Sequence, residues 1–173
     1  MVTIVQKDNP VLRQIAKPVA KADFKSEKLA KILRDMKSAL DSQSDGVALA
    51  APQIGISLRI FIVSGRVFEI MYNDEQETKD YPDMVFINPE ILKLSKETEI
   101  LEEGCLSARY LYGKISRAKK AKVRAYDENG KAFEVGGSGL LAQIFQHEID
   151  HLEGRLFIDN ATELEDLPPQ KTN

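Results

Sequence analysis

The chain has 173 residues, a length that suits one domain with a sizeable core. Its 43% hydrophobic and 29% charged content excludes wholesale disorder, and a net charge of −3 with dispersed Lys and Arg excludes a body built to grip nucleic acid. No apolar run approaches the roughly 20 residues a membrane span needs. The opening Met1 to Lys7 lacks the features of a signal or transit peptide, and the lone Cys105 cannot close an internal disulfide, so a reducing cytoplasm is the expected setting.

Taken in order, residues 1–25 read as an extended arm, interrupted at Asn9-Pro10 and Lys17-Pro18. Ser26 is a helix N-cap with Glu27 in the first turn. Leu29, Ile32, Leu33, Met36 and Leu40 then recur at helical spacing, predicting an amphipathic helix to about Ser42, stopped by Ser44-Asp45-Gly46. From Gly46 to Gly55 the side chains are small. Such a stretch either lets an extended peptide lie along a strand edge or forms a tight loop feeding a buried strand. Leu58 to Val63 is a compact apolar run and a predicted buried strand.

Residues 64–83 are polar and irregular, with a charge-rich Asn73 to Asp80, and read as a surface insertion. Met84 to Ile87 and Ile91 to Leu94 are predicted as short strands around an Asn88-Pro89 turn. Glu97 to Leu101 makes another and delivers Glu102 to Ser107. The basic stretch from Arg117 to Arg124 reads as an exposed strand edge whose lysines deter aggregation. Lys122 to Tyr126 and Lys131 to Val135 flank Asp127-Glu128-Asn129-Gly130 as a β-hairpin. Ser138 then caps a second amphipathic helix that Gly154 terminates. The tail from Asn160 is acidic, then Pro-rich, and is expected to fray over residues 160–173. There is no repeat and no second domain, so residues 1–173 read as one unit.

The second helix carries Gln146-His147-Glu148-Ile149-Asp150-His151, which holds both histidines of the chain. Residues i and i+4 share a helix face, so both imidazoles can reach one point, the metal-binding His-Glu-x-x-His arrangement. At about 100° per residue, His147, Glu148 and His151 fall on or at the edge of the apolar arc of Leu140, Leu141, Ile144, Phe145 and Leu152. Gln143, Gln146, Asp150 and Glu153 take the other side. Ionisable groups turned toward a core need partners or a metal; two hydrogen-bonded core histidines are the plainer alternative.

A catalytic metal usually takes three protein ligands, and the chain has no third histidine. Phe157 stands where a metzincin would place one, and Glu163 and Glu165 lie in the acidic tail. Cys105, as a thiolate, is the better third ligand, unless it is merely a small buried hydrophobe.

Gly46 to Gln53, Glu103 to Ser107, and Gln146 to Gly154 resemble, in order, the three motifs of the peptide deformylase family, and similarity covers most of residues 3–158. The resemblance implies an α+β fold, with antiparallel β-sheets packed around a central metal-binding helix and an N-terminal amphipathic helix. It implies an enzyme that removes formyl from the N-terminal formyl-methionine of nascent polypeptides, near the ribosome. One divalent ion would sit on Cys105, His147 and His151, Fe2+ in the family, though Zn2+, Ni2+ or Co2+ can occupy such a site. One thiolate and two imidazoles suit zinc as readily. The metal's water would be the nucleophile and Glu148 the general acid/base. The Gln53 amide and the Leu106 N–H would stabilise the oxyanion. The peptide would add as a strand along Gly46, Val47 and Ala48, with Val47, Leu140 and Ile144 lining the methionine pocket. Asp150 and Arg117 would support the ligands.

The chain also departs from that pattern. Ala48 stands where glycine is usual, and its methyl would narrow the groove or forbid a positive φ. Ala108-Arg109-Tyr110-Leu111-Tyr112 replaces a hydrophobic residue and proline. The stretch after Asn160 is too short for the long C-terminal helix of many bacterial members. Other readings remain: a peptidase using the same centre, a non-catalytic nascent-chain binder, or a Cys105–histidine hydrolase.

Overall fold

The computed structural model describes residues 2–72 and 81–168; the charge-rich Asn73 to Asp80 lies outside them. Helix α1 spans Glu27–Asp41. It starts where predicted because the Ser26 hydroxyl accepts the Leu29 N–H at 3.1 Å, a cap worth about 1 kcal/mol. Its buried stripe of Leu29, Ile32, Leu33, Met36 and Leu40 follows the predicted period.

Five antiparallel strands form the larger sheet: β1 (Ala48–Ala50), β2 (Ile60–Val63), β3 (Met84–Leu94), β6 (Lys120–Tyr126) and β7 (Ala132–Ser138), in the order β1-β2-β3-β6-β7. A second sheet, in the order β4-β5-β8, holds β4 (Thr98–Gly104), β5 (Leu111–Ala118) and β8 (Thr162–Asp166). Side chains alternate across the larger sheet. Leu49, Ile60, Ile62, Val85 and Ile87 face α1. Phe61, Val63, Phe86, Val123 and Ala125 face α3 (Leu140–Leu152) through its Leu141, Ile144, Phe145 and Leu152. Phe61 stacks on Phe86 at 4.4 Å between centroids, and Phe86 meets Phe145 edge-on at 5.4 Å. The other side of α3 turns to the small sheet, so the histidine helix lies between two antiparallel sheets. This is the α+β arrangement expected from the sequence.

The arm clamps α3 at its C-terminal end. Ala16 N–H donates to Leu152 O at 2.9 Å. Gly154 ends the helix with φ 71°, and a Cβ there would stand 2.8 Å from Arg13 O, so both conformation and space demand glycine.

Several local expectations are corrected. β3 runs unbroken through Asn88-Pro89, where a register shift between Ile87 and Glu90 absorbs an Asn88 φ of 50°. The Asn88 side chain instead holds the arm, accepting from Val19 N at 2.8 Å and donating to Val19 O at 2.9 Å. Residues Gly65–Tyr72 form helix α2 rather than irregular chain. β6 is an interior strand, and its lysines simply occupy the solvent face opposite buried Ala121, Val123 and Ala125. Ser138 closes β7 and Gly139, with no side-chain cap, precedes α3, because the strand pairing extends to Ser138 opposite Lys120. Of the tail expected to fray, Thr162–Asp166 form β8, whose backbone pairs with the outer edge of β5, while residues 169–173 lie outside the described residues. Main-chain pairing of this kind needs no apolar pattern, so its exposed side chains give no periodic signal.

Candidate active site

A cleft of about 330 Å³ opens between the β1 edge, the end of β4 and α3. α3 places His147 and His151 one turn apart, and the chain leaving β4 brings Cys105 across to them. Their donor atoms all lie within 4.8 Å of one another, and Cys105 Sγ is 3.3 Å from His151 Nε2. Tetrahedral ligands on bonds of 2.0 to 2.3 Å stand roughly 3.5 Å apart, so the set fits one ion. Despite burial, hydrogen bonds with Cys105 and Glu103 push the His147 imidazole well above its ordinary range. Burial holds His151 well below its ordinary range.

Glu103 organises this cluster. Its carboxylate accepts Arg117 Nε and Nη2 at 2.7 and 2.9 Å and His147 Nδ1 at 2.9 Å. Burial opposes its ionisation, but the hydrogen bonds from His147 and Arg117 outweigh it and hold the carboxyl down at about 2. With Nδ1–H committed to Glu103, His147 is left with Nε2 for a metal. Arg117 Nη1 continues to Asp150 at 2.7 Å, and Arg155 closes the chain on Asp150 at 2.9 Å. The support expected from Arg117 and Asp150 thus runs through a residue that the sequence singled out only as part of a motif.

Glu148 is 4% exposed, and its Oε2 has no partner among the described residues. Burial pushes its carboxyl up to about 7, against the pull of His147 and with the charge of Glu103 adding to it. A carboxyl poised there can both accept and return a proton near neutrality. Gln53 is 1% exposed. Its Oε1 accepts the Ala50 N–H at 2.8 Å, which turns Nε2 toward Ser107 Oγ at 3.2 Å and Cys105 Sγ at 3.6 Å. Leu106 lines the same cleft, as do Gly46, Val47, Ala48, Leu140 and Ile144. β1 is an edge strand, so one side of it is open to an added strand. Ala48 lies in β1 and is absent from the positive-φ residues, with its methyl packed in the core. The substitution therefore introduces no backbone strain.

One residue of α3 departs from the side its periodicity predicts. Gln146 is buried, donating to Ala118 O at 3.0 Å and accepting Ala118 N–H at 2.9 Å. It mimics a strand partner where β5 passes into β6, a use of glutamine that helical periodicity cannot distinguish from exposure. Among the described residues no helix is long and apolar enough to cross a membrane.

The profile of the polypeptide deformylase family matches residues 1–166. The peptide deformylase of Bartonella quintana is 43% identical over 156 residues, 90% of this chain and 81% of the relative. That of Desulforudis audaxviator is 40% identical and covers 92% of both chains. Among solved structures, the class I type b peptide deformylase of Acinetobacter baumannii with Met-Ala-Ser bound superposes with a TM-score of 0.80 at 32% identity, covering 92% of this chain and 99% of that one. A Legionella pneumophila peptide deformylase gives 0.79 at 39% identity, covering 94% and 87%. A family match over nearly the whole chain, on a fold that gathers the Cys105, His147 and His151 donors around one point, leads to a plain conclusion: the chain belongs to the polypeptide deformylase family.

Proposed function

We propose that this chain hydrolyses the formyl group from N-terminal formyl-methionyl peptides, releasing formate, and that it acts as one catalytic domain. The observation that carries the reading is the meeting of three metal-donor atoms within 4.8 Å beside the buried, unpartnered carboxylate oxygen of Glu148. Cys105, His147 and His151 would hold one divalent ion, Fe2+ in our reading, with Zn2+, Ni2+ or Co2+ as alternatives of suitable ligand chemistry. When bound, that ion supplies Lewis acidity to the attacking water and to the formyl oxygen.

The chain's own residues do the rest. Glu148 takes a proton as water adds its oxygen to the formyl carbon, then returns it to the amine nitrogen as the carbon–nitrogen bond breaks. The Gln53 amide, locked by Ala50, and the Leu106 N–H donate to the oxygen that gains charge. Substrate backbone adds along Gly46, Val47 and Ala48, and the methionine side chain enters between Val47, Leu140 and Ile144. Nascent chains leaving the ribosome, in the cytoplasm, are the substrates this setting favours; the unpaired Cys105 supports a reducing compartment.

The test is formate release from a formyl-Met tripeptide by anaerobically purified protein, comparing wild type with Glu148→Ala and measuring metal in both. Turnover that Glu148→Ala abolishes with its metal retained supports the reading. A fully metallated wild type that releases no formate, or that instead cuts internal bonds of blocked peptides, would overturn it.

A further inference from the structure

The wall of the cleft that follows Cys105 is tethered at three points by segments distant in sequence. From the arm, Gln6 donates to Leu106 O at 3.1 Å and accepts the Arg109 N–H at 3.3 Å. From the C-terminal side, Leu167 N–H donates to Tyr110 O at 3.0 Å, extending the β5–β8 pairing. The third tether joins this wall to the opposite lip. Arg109 Nη1 and Nη2 grip Asp45 at 2.5 and 3.0 Å, and Nη2 also donates to Gln43 Oε1 at 2.9 Å.

Asp45 leads directly into Gly46 and the open β1 edge, and both Asp45 and Arg109 line the cleft. The geometry is bidentate, the arrangement in which a guanidinium fixes direction as well as distance. The guanidinium also lies 5.9 Å from the Tyr110 ring centroid, which limits its freedom to swing away. Hydrogen bonding to Arg109 holds the Asp45 carboxyl below its ordinary range, so the pair stays charged at neutral pH.

Formyl and methionine would occupy the deep end, at Glu148, Leu140 and Ile144. Each further residue of an added strand advances roughly 3.3 Å toward these lips, so they face the chain that follows the methionine. We propose that Arg109 is a positioning residue for the substrate chain beyond its methionine. Its grip on Asp45 sets the distance between the Gly46–Ala48 edge and the 106–112 wall, so that peptides of three or more residues are held as an added strand. This inference rests on the deformylase reading above.

The experiment uses full-length, metal-loaded protein: wild type, Arg109→Ala, Arg109→Lys and the double variant Asp45→Arg/Arg109→Asp. Each is assayed on formyl-Met-Ala and formyl-Met-Ala-Ser, and binding of Met-Ala-Ser is measured by calorimetry. Arg109→Ala should raise KM for the tripeptide about twofold to fivefold, the scale of a part-exposed ion pair. The dipeptide KM, kcat and metal content should hold. Arg109→Lys should be intermediate, and the charge swap should recover much of the loss. Equal effects on both substrates, a fall in kcat, or no recovery in either the swap or Arg109→Lys would overturn the proposal. Should wild type release no formate from either peptide, the deformylase reading itself fails; Met-Ala-Ser binding then tests Arg109 alone, and an unchanged affinity in Arg109→Ala overturns it.

Discussion

The two walls of the cleft treat a buried carboxylate in opposite ways. Glu103, at the end of β4, is 6% exposed, and Glu148, in the middle of α3, is 4% exposed. Burial alone would raise both. Glu103 is held down at about 2 because Arg117 and His147 direct three N–H groups at it, whereas Glu148 climbs to about 7 because one of its oxygens receives none. The strand wall thus carries a fixed negative charge that orients His147. The helix wall carries a carboxyl whose charge is negotiable. Which role a buried acid takes is decided by the donors around it and not by how deeply it lies.

This contrast breaks most completely at Glu148. Glu148→Gln keeps the size and loses the proposed proton carrier, so kcat should fall by about 10² to 10⁴ while bound metal, read by elemental analysis, persists. On the other wall, Glu103→Gln should act through the ligand. Metal affinity should fall about 10-fold to 100-fold in competition with a chelator, and activity should recover when metal is supplied in excess. If Glu148→Gln lost metal and Glu103→Gln kept it, the two roles would be reversed.

Arg117→Met tests what holds the strand wall charged. It strands Glu103 and Asp150 without their shared cation, and urea unfolding should show a loss of roughly 3 to 5 kcal/mol.

The smallest effect belongs to an exposed counterpart. On the surface, the Asp159 carboxyl is lowered although burial opposes it, because Arg13 donates at 2.6 Å and Leu156 N–H at 2.9 Å. A carboxyl lowered in the fold stabilises above its unfolded value and loses that contribution as pH falls through the folded value. Asp159→Asn should therefore cost less than about 1 kcal/mol at pH 7. That difference should shrink as pH drops below the ordinary value of 3.8 and vanish once the folded value is passed. A difference that persisted in strong acid would assign the effect to packing.

Features whose signal is local were legible in the sequence. The α1 stripe, the Ser26 cap, the Asp127–Gly130 hairpin, the glycine stop at Gly154 and the pairing of His147 with His151 each lie within a few residues, where backbone geometry alone fixes their relation. The candidate ligand triad was suggested there too, because the motifs around the two histidines and the single cysteine resemble those of one family. Tertiary structure decided the rest. The value of Glu103 depends on Arg117 from a neighbouring strand, and Gln146 is buried because the backbone of Ala118 happens to need both a donor and an acceptor there. The acidic tail becomes β8 by satisfying the free edge of β5, and Arg109 meets Asp45 across 64 residues of chain. Periodicity reports which face of an element is apolar. It is silent about which distant backbone or charge will come to meet the other face, and that meeting gives the two buried glutamates their different chemistry.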